Sequence, residues 1–558
     1  MFTSEKPWLK VYEGYTEPEA EFFEGSLYEL FRESVEEHKE KVALSFYGTE
    51  IGFPQLQAMA DKMAAALAAI GVEKGDRVAL MLPNCPQYVV GFFATVRLGA
   101  IVTQLNPMYV EREIEHILTD SGAETIVVYA DMYERVKNVL PASSLKNVVV
   151  VSFGGTPEGL EEDHYTFDSF LGMDAEDAPE VEIDPGEDVA ALQYTGGTTG
   201  VSKGAMLTHR NLAANVRQAI EVFVENEDDF SNNEGSVAVL PYFHIYGLTS
   251  VMMFSIKTGC KQLLLPRFEV EEVLKLVQEN EPALFAGVPT MYMGLHASGV
   301  DLKEYGFDKI RVFNSGGAAM PVNLLHALEE KTGRRIYEGY GLSEASPVTH
   351  FNPIFAERRP GSIGVPIPST NAKVVDVEDG ASALPVGESG ELAISGPQVM
   401  KGYWNMPEET ADTLRDGWLY TGDVATMDED GYFYIVDRKK DMIVAGGYNV
   451  YPREIEEVLF EHPDVSEAVA VGVPDEYRGE SVKAFVVKKE DSDVTEEEIL
   501  DFCKERLAPY KTPKSLEFRD ELPKSTVGKL LRRVLADEEK EKAANGSTDE
   551  ATEPPSPS

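Results

Sequence analysis

Cysteine is scarce in this chain, and its three cysteines, Cys85, Cys260 and Cys503, lie far apart in the sequence. No two of them have the spacing of a disulfide framework or of a zinc site. The nine histidines are scattered as well, and no pair has metal-ligand spacing. These absences argue against a disulfide-stapled secreted domain and against a zinc enzyme.

Basic residues are also few: 50 Lys and Arg stand against 96 Asp and Glu, which gives a formal net charge of −46. Such an acidic chain repels phosphates, which argues against nucleic-acid binding through a general basic footprint. Self-repulsion strains a compact fold in dilute buffer, but at roughly 1 M salt the Debye length falls to about 3 Å and screens it. We therefore expect a cytoplasmic protein of a salt-rich cytoplasm, as in halophilic organisms. An acidic partner-binding surface is the alternative.

Long apolar runs are nearly absent. Residues 236–256 carry no formal charge, but Pro241, His244 and Gly247 interrupt them, which favours a buried strand, turn and helix over a membrane span. The N-terminus lacks the apolar core of a signal peptide. Because no basic amphipathic helix is evident either, we expect at most peripheral contact with a membrane.

The length of 558 residues exceeds what one hydrophobic core usually serves, so at least two domains are expected. In the first half, strand patterns alternate with helical patterns, which is typical of α/β proteins with parallel-rich sheets covered by helices. Short strands and glycine turns at 372–395 predict a small antiparallel or barrel-like subdomain. The sequence thus predicts a large domain at 1–437, a small α+β domain at 438–536 and a disordered acidic tail at 537–558.

The most informative segment is 194–204, which holds four glycines, four Ser or Thr hydroxyls and Lys203 after a buried-strand pattern at 189–193. Such a loop can wrap bare backbone N–H groups around a polyphosphate, while its hydroxyls and lysine supply donors and charge. It is not the common nucleotide loop, because no Gly is followed five residues later by Gly-Lys-Ser/Thr. The order of strand, loop and Lys-Gly favours phosphate binding over a merely mobile loop.

Further motifs follow along the chain at 240–244, 314–321, 337–344, 417–423, 437–441 and 522–529. In order and spacing, these segments resemble the adenylate-forming superfamily of acyl-CoA synthetases, luciferases and peptide-synthetase adenylation domains. The resemblance spans residues 20–536. Through 337–350 and 397–402, it is strongest to long-chain fatty acid–CoA ligases.

This resemblance implies a reaction in which a carboxylate attacks the α-phosphate of ATP and yields an acyl-AMP anhydride and pyrophosphate. The thiol of coenzyme A then displaces AMP. A free carboxylate needs this activation because its charge repels nucleophiles. Phosphoryl transfer depends mostly on positioning and on neutralising charge, and Mg²⁺ is the expected metal.

By the same resemblance, the β- and γ-phosphates bind the loop residues Thr195, Gly196, Gly197, Thr198, Thr199, Gly200 and Lys203. Glu344, together with Thr195, is expected to hold Mg²⁺, because a hard cation prefers oxygen ligands. Read without the family, Glu344 would be an ordinary carboxylate at the start of a helix.

The resemblance also implies an adenosine site. Its residues are Gly316, Gly317, Ala318, Tyr340, Gly341, Asp423 and Arg438. The small residues let the flat base approach the backbone, and Tyr340 stacks on that base. Asp423 accepts hydrogen bonds from the ribose hydroxyls, and Arg438 fixes the ribose or a phosphate.

Lys529 is expected to be the catalytic lysine of the first half-reaction, where it contacts the α-phosphate and the substrate carboxylate. The resemblance also implies a mobile small domain that rotates between the two half-reactions about Lys440, with its neighbours in 437–440 as close alternatives. After rotation, the loop containing Gly446 and Gly447 replaces Lys529 and lines the path of the pantetheine arm. Without the resemblance, Lys529 would be a solvated surface charge.

By the same resemblance, His244 is expected near the substrate carboxylate, in a catalytic and substrate-binding role. The residues expected to line the acyl tunnel are Gly287, Val288, Pro289, Gly339 and Gly341. Small residues leave room for a long chain, of which each buried methylene gains about 0.8 kcal/mol. A medium-chain or aryl acid–CoA ligase, an acyl-AMP ligase that loads a carrier protein and a catalytically dead nucleotide-binding regulator are the alternatives. A homodimer is compatible with the sequence.

The acidic composition generates a prediction about salt. Dialysis from molar KCl into dilute buffer should unfold or inactivate the protein, because the repulsion among its carboxylates is then unscreened. Far-ultraviolet circular dichroism and ATP-dependent pyrophosphate release, followed across a KCl series, measure this. A fold and an activity indifferent to the removal of salt would refute the expectation of a salt-rich cytoplasm.

Overall fold

The computed structural model describes residues 6–155, 157–195, 202–224, 234–445, 448–475, 479–490, 492–525 and 530–549. Its large domain contains two parallel-rich sheets and an antiparallel sheet, as far as the described residues show. Within these ranges, no helix combines the length and the apolar character needed to cross a bilayer. The uncharged stretch at 236–256 forms a strand and an irregular helix instead, as expected.

The first large sheet carries the hairpin that brackets the predicted phosphate loop. Its strands lie side by side in the order Gly402–Tyr403, Lys203–Thr208, Val189–Thr195, Ile101–Gln104, Arg77–Met81, Thr125–Tyr129, Asn147–Val151 and Tyr165–Thr166. From Val189–Thr195 to Tyr165–Thr166 the strands are parallel, whereas the remaining two pair antiparallel at one edge. The loops that follow the parallel strands therefore leave the sheet at a shared edge.

The second large sheet is also parallel except at its edges. Its order is Val365–Pro366, Val348–Phe351, Ile336–Gly341, Val312–Ser315, Leu284–Gly287, Gly235–Ala238, Lys261–Leu264, Val42–Phe46 and Thr49–Gly52. The strands from Ile336–Gly341 to Val42–Phe46 run parallel, and the edge strands turn back. The residues of the predicted adenine and acyl sites lie at the carboxyl ends of these parallel strands or directly after them.

Helices connect the parallel strands and cover the sheets. In the large domain they span Leu9–Tyr12, Leu27–Glu37, Phe53–Ala69, Pro86–Arg97, Glu111–Ser121, Tyr133–Val139, Phe167–Leu171, His209–Phe223, Ile245–Gly247, Phe254–Thr258, Val270–Asn280, Pro289–Ala297, Val322–Thr332 and Pro407–Thr413. A π-helical segment, Leu248–Met253, joins two of them. Short 3₁₀ turns span Ala130–Met132, Leu140–Ala142, Leu302–Tyr305, Phe307–Lys309 and Ser343–Ala345.

Both faces of the first sheet are buried, as expected for a parallel sheet. Along the strand Arg77–Met81, Val78 and Leu80 join the core shared with the second sheet. The alternate residues Ala79 and Met81 join a separate core under the outer helices. Successive side chains of a strand point to opposite faces, so this division shows that the sheet separates two apolar layers.

The antiparallel sheet confirms the predicted small subdomain and extends it along the chain to Arg438. Its strands are Asn371–Val375, Gly390–Ser395, Trp418–Met427, Leu414–Arg415 and Phe433–Arg438. The long strand Trp418–Met427 pairs with three neighbours, and in one pairing Asp423 lies opposite Arg438. This register sets two predicted adenosine-site residues beside each other.

The small domain has its own sheet and its own apolar clusters. The strands lie in the order Tyr448–Val450, Ile443–Ala445, Gly479–Lys488 and Val465–Asp475, with Ser515–Phe518 parallel to Gly479–Lys488. The helices are Pro452–Phe460, Glu496–Arg506 and Arg532–Asp549. Its two clusters of buried hydrophobic residues contain only residues from Ile443 onward, so this part of the chain packs as a separate α+β unit.

The start of the tail differs from the sequence expectation. The helix Arg532–Asp549 continues past residue 537, where disorder was expected to begin. Glu538 pairs with Arg519 at 2.8 Å, and Glu539 pairs with Lys483 at 2.9 Å. Composition alone missed these ion pairs, which fix the helix against the small domain. Residues 550–558 lie outside the described residues.

Asn84 ties the two large sheets together at their carboxyl edges. Its side chain is buried, and Nδ2 donates to the carbonyl oxygens of Ala238 at 2.9 Å and of Leu240 at 2.8 Å. Its Oδ1 accepts the backbone N–H of Tyr242 at 2.8 Å. One amide thus satisfies three backbone groups of the segment that leads to His244, and it holds that segment in place.

Replacing Asn84 by Ala should destabilise the protein by about 3 kcal/mol, because three buried backbone groups lose their partner. Urea unfolding in molar KCl measures this loss. Asn138→Ala is the matched control, because Asn138 is exposed and its amide donates to Glu111 at 3.4 Å. Equal unfolding midpoints for the two variants would show that Asn84 does not tie the sheets.

Candidate active site

The ends of the predicted phosphate loop are held by the hairpin Val189–Thr195 and Lys203–Thr208. Thr195 and Lys203 are register partners, and the Ser202 hydroxyl donates to the carbonyl oxygen of Thr195 at 2.8 Å. Gly196, Gly197, Thr198, Thr199 and Gly200 lie outside the described residues. The hairpin brings Thr195 and Lys203 together at the base of the loop.

The helix His209–Phe223 begins directly after this hairpin. The Thr208 side chain accepts the N–H of Asn211 at 3.2 Å, and the Asn211 side chain accepts the N–H of Thr208 at 2.9 Å. This reciprocal pair satisfies donors at the helix start. The Asn211 amide also donates to the carbonyl oxygens of Pro397 and Val399, at 2.7 and 2.9 Å. The cap therefore fixes the hairpin against the segment that leads to Tyr403.

Lys203 and Glu344 both lie beside the side chain of Tyr403. The Lys203 ammonium pairs with the Glu409 carboxylate and lies 5.3 Å from the centroid of the Tyr403 ring. The Tyr403 hydroxyl donates to Glu344 Oε1 at 2.7 Å. Burial, and then the Glu344 charge, raise the pKa of Tyr403, so its hydroxyl remains a donor. The second carboxylate oxygen of Glu344 and the Thr195 hydroxyl are the kind of hard oxygen ligands that suit Mg²⁺.

Tyr340, Asp423 and Arg438 are in direct contact, although the sequence separates them widely. The Tyr340 hydroxyl donates to Asp423 Oδ2, and Arg438 Nε lies 3.2 Å from Asp423 Oδ1. Burial, and then the Asp423 charge, raise the pKa of Tyr340. The Asp423 charge is the main reason that the pKa of Arg438 is raised. The two contacts therefore fix the orientation of the Asp423 carboxylate.

Two neighbouring parallel strands carry the predicted adenine site, and Gly316 and Gly317 follow the first of them. Val312–Ser315 pairs with Ile336–Gly341, and Ser315 lies opposite Glu338. Gly316 and Gly317 extend the first strand, and Gly317 has φ +79°, a value that favours glycine. Gly317 and Ala318 are exposed beside the strand that carries Tyr340. The backbone of these two residues is therefore accessible at the end of the strand next to that of Tyr340.

His244 begins the irregular helix that follows the strand Gly235–Ala238. Its Nδ1 accepts the N–H of Tyr246 at 3.2 Å, which caps the helix. Gly247 is required here, because a Cβ would lie 2.2 Å from the carbonyl oxygen of Pro241. The turn therefore places His244 beside the first large sheet, where Gln193 donates to the neighbouring Phe243 carbonyl at 3.0 Å.

Tyr246 occupies space between two predicted pocket residues, and the sequence had not assigned it a role. Its hydroxyl donates to Asn314 Oδ1 at 2.6 Å and lies 3.5 Å from the Gly287 carbonyl oxygen. A Cβ on Gly316 would lie 3.3 Å from its ring. The position of His244, two residues earlier, was the signal that could have identified it.

The remaining predicted pocket residues lie at the same edge but face protein groups. A Cβ on Gly287 would lie 3.0 Å from the Tyr292 ring, and one on Gly339 would lie 2.6 Å from Phe351. A Cβ on Gly341 would lie 2.3 Å from the Pro347 carbonyl oxygen. Val288 is buried at the start of Pro289–Ala297. These glycines permit close internal packing in this conformation, and their role in an acyl tunnel stays a prediction.

Within three residues of the predicted hinge segment, the contacts pass from the large domain to the small domain. The Lys439 N–H donates to the Gly422 carbonyl at 2.9 Å, and its ammonium donates to Glu391 at 3.0 Å. Asp441, by contrast, lies 3.3 Å from Arg532 of the small domain. Lys440 is the exposed residue between these two attachments. Gly446, Gly447 and Lys529 lie outside the described residues.

Glu338 is a further ionisable group at this edge that the sequence did not single out for a role. Burial raises the pKa of its carboxyl to about 7, while the Gly361 N–H, at 2.8 Å, and the charges of Arg453 and Arg358 oppose the rise. The Glu457 charge adds to it. Arg453 and Glu457 belong to the first helix of the small domain, so the protonation of Glu338 is coupled to the position of that domain.

This shift generates a prediction about pH. A carboxyl whose folded pKa is raised to about 7 stabilises the fold below its unfolded pKa and loses that contribution as pH rises to about 7. Between pH 5 and pH 8, the free energy of unfolding of the wild type should therefore fall by about 3 kcal/mol because of Glu338, and Glu338→Gln should remove this fall. Unfolding in molar KCl at several pH values tests this, with the exposed Glu330→Gln as control. A wild type and a Glu338→Gln variant with parallel pH profiles would contradict it.

Comparison with known proteins identifies the family. A family model described as AMP-binding enzyme matches residues 31–404, and one described as AMP-binding enzyme C-terminal domain matches residues 454–529. A long-chain-fatty-acid–CoA ligase of Bacillus subtilis (strain 168) is 45% identical, over 96% of this chain and 99% of its own. A ligase of the same name from Escherichia coli O6:H1 is 41% identical, over 93% of this chain and 96% of its own.

The fold agrees with these matches. The crystal structure of ATP-bound MatB from Rhodopseudomonas palustris has a TM-score of 0.84 and 32% identity, and the match covers 93% of this chain and 100% of that one. The predicted family and the predicted fold, parallel-rich α/β sheets followed by a small C-terminal domain, are both confirmed. The chain belongs to the AMP-binding enzymes, the adenylate-forming family.

Proposed function

We propose that this protein joins a long-chain fatty acid to coenzyme A through an acyl-AMP intermediate and releases AMP and pyrophosphate. It is an AMP-forming acid–thiol ligase that uses ATP and CoA. The observation that carries this proposal is the end-to-end match, at 45% and 41% identity, to ligases named for long-chain fatty acids. The contacts among the nucleotide-site residues support it.

The phosphates bind at the hairpin loop. Lys203 exchanges its Glu409 partner for the β- and γ-phosphates, to which the residues from Thr195 to Gly200 add backbone N–H groups and hydroxyls. Glu344 and Thr195 hold Mg²⁺, which neutralises phosphate charge when it is bound. The hydroxyl of Tyr403 fixes the orientation of the Glu344 carboxylate, because it donates to one of its two oxygens at 2.7 Å.

The adenosine binds between the two neighbouring strand ends. The base lies against Gly316, Gly317 and Ala318 and stacks on Tyr340, with Gly341 beside it. Asp423 accepts hydrogen bonds from the ribose hydroxyls, and its contacts with Tyr340 and Arg438 support this role, since they fix the orientation of the carboxylate. These interactions position the α-phosphate for attack.

His244 and Lys529 act on the reacting groups. His244 lies between the first large sheet and the residues proposed to line the acyl tunnel, where it orients the substrate carboxylate. Lys529 stabilises the charge that develops on the α-phosphate and on the carboxylate. The acyl chain leaves this point past Gly287, Val288 and Gly339, and Tyr246 must change its rotamer or its partners to admit it.

The small domain turns about Lys440 between the half-reactions. The strand Phe433–Arg438 is the last strand of the large domain, and the attachments of Lys439 and Asp441 lie on either side of the hinge. After rotation, Gly446 and Gly447 line the path of the pantetheine arm, because a thin thiol chain can pass beside bare backbone.

The charge of −46 supports function in the salt-rich cytoplasm of a halophile. It also argues against nucleic acid as a partner. The place of the enzyme is fatty-acid and lipid metabolism, with small-molecule substrates and at most peripheral contact with a membrane. A homodimer stays a prediction.

Lys529→Ala should lower acyl-AMP formation by about 10²-fold or more, because preorganised charge at the developing anion is lost. Thioester formation from supplied acyl-AMP should change much less. Pyrophosphate exchange and single-turnover CoA acylation measure the two steps separately. Lys524→Ala is the matched control, since Lys524 lies in the same segment and pairs with Glu467 at 2.5 Å. An equal loss in both steps would contradict the assigned role.

The substrate class is tested by pyrophosphate release in molar KCl across saturated fatty acids of increasing length and a panel of aryl acids, with and without CoA. We expect the highest kcat/KM with long chains and a CoA thioester as the product. Preference for medium-chain or aryl acids would assign one of the alternative ligases. Acyl-AMP that reacts with a carrier protein but not with CoA would assign a carrier-loading enzyme.

A further inference from the structure

Arg532 makes charged contacts on both sides of the proposed hinge. It is the first residue of the helix Arg532–Asp549 in the small domain. Its Nε and Nη2 donate to the two carboxylate oxygens of Glu456, at 3.0 and 2.6 Å. Because Glu456 lies in the first helix of the same domain, this two-point contact fixes the guanidinium within the small domain.

The remaining donor of Arg532 extends across the hinge. Nη1 lies 3.1 Å from Asp437 Oδ1 and 3.3 Å from Asp441 Oδ2. Asp437 belongs to the strand Phe433–Arg438 of the large domain, whereas Asp441 follows Lys440. One guanidinium therefore holds a carboxylate before the hinge and a carboxylate after it.

Within the large domain, Asp437 accepts the N–H of Arg438 at 2.7 Å, and its partners Arg532 and Arg453 belong to the small domain. Its side chain is only 2% exposed. Besides Arg532, the backbone N–H of Arg453 donates to its Oδ2 at 2.8 Å, and Arg453 Nη1 donates to the neighbouring Ile435 carbonyl at 2.7 Å. Burial raises the pKa of Asp437, and Arg532 opposes that rise more than the other groups do. Rotation of the small domain would remove both arginines from this carboxylate.

A rotation about Lys440 changes the separation of Asp437 and Asp441, so Arg532 cannot keep both. Its two bonds to Glu456 retain it in the small domain, and the bond to Asp437 is the one that breaks. The loss of a partner is costly for a buried charge, and this cost weighs against leaving the present orientation.

Given the proposed ligase function, we propose that Arg532 is a positioning residue that clamps the hinge, and that release of its bond to Asp437 is a step in switching between adenylation and thioester formation. The clamp determines the relative populations of the two domain orientations, and these populations determine the ratio of the two half-reaction rates. Arg532 itself touches no reacting atom in this role.

The first experiment compares Arg532→Gln with Arg533→Gln. Arg533 is the neighbouring residue, is exposed and pairs with Asp537 of its own helix at 3.2 Å, so this variant makes the same change in charge without affecting the clamp. Arg532→Gln should change the ratio of adenylation to thioester formation by about ten-fold, because a domain equilibrium loses a buried ion pair. Arg533→Gln should leave the ratio unchanged. Equal loss of both half-reactions in Arg532→Gln, or no loss in either, would overturn the clamp.

Because Arg532→Gln also leaves Glu456 without its partner and can weaken the small domain, Asp437→Asn provides a second test from the large domain. It should shift the same ratio in the same direction. The double variant should shift the ratio no further than the stronger single variant, since both remove one contact. Additive shifts in the double variant would show that the two residues act independently and would refute the proposal.

A direct measurement of the domain orientation does not depend on activity. The native cysteines Cys85, Cys260 and Cys503 are buried, so spin labels can be attached at Glu330→Cys in the large domain and Glu490→Cys in the small domain, both exposed sites. We expect one dominant label distance in the otherwise unchanged protein and a second, populated distance when Arg532→Gln is added. An unchanged distance distribution would rule the clamp out. If no acid supports acyl-AMP formation, the proposed function fails, but this measurement still decides the clamp.

Discussion

The parallel direction of the strands is the constraint on which the candidate site depends. Strands that run parallel release their following loops at one edge, and both large sheets place that edge towards the other. The bond from Gln193 to the Phe243 carbonyl and the bonds from Asn84 to Ala238 and Leu240 join the two edges directly. Motifs that are far apart in the sequence therefore converge, as is general for ligand sites in open α/β sheets.

Within this frame, buried carboxylates determine which residues must stay together. Asp423 is buried and contacts both Tyr340 and Arg438, and the antiparallel register of Trp418–Met427 with Phe433–Arg438 supplies the arginine. A charged carboxylate removed from water needs such partners, because its desolvation is otherwise unfavourable. The orientation of Asp423, which we propose for ribose binding, thus depends on the same contacts that compensate for its burial.

The boundary between the large and small domains is polar, and this distinguishes it from the cores on either side. The apolar clusters of the small domain are formed by its own residues, among those that the structure describes. Its contacts with the large domain include charged and backbone groups, such as Arg453 with Ile435 and Asn323 with Phe460. Apart from the buried Asp437–Arg532 pair, polar contacts of this kind can exchange their partners for water at little net cost, whereas an apolar interface would have to be exposed to water. Such a boundary suits a domain that rotates.

The sequence by itself determined the alternating α/β pattern, the order of the motifs and the family, and it predicted the residue types of a nucleotide site. These features are encoded locally, in hydrophobic periodicity and in short glycine-rich segments. Only the tertiary structure decided which distant side chains meet: Lys203 with Glu409, Tyr403 with Glu344, and Arg532 with Asp437 and Asp441. It also extended a helix into the segment expected to be disordered. The physical reason is that ion pairs and burial depend on distances in space, and those distances follow from sheet order and register, which no local pattern specifies.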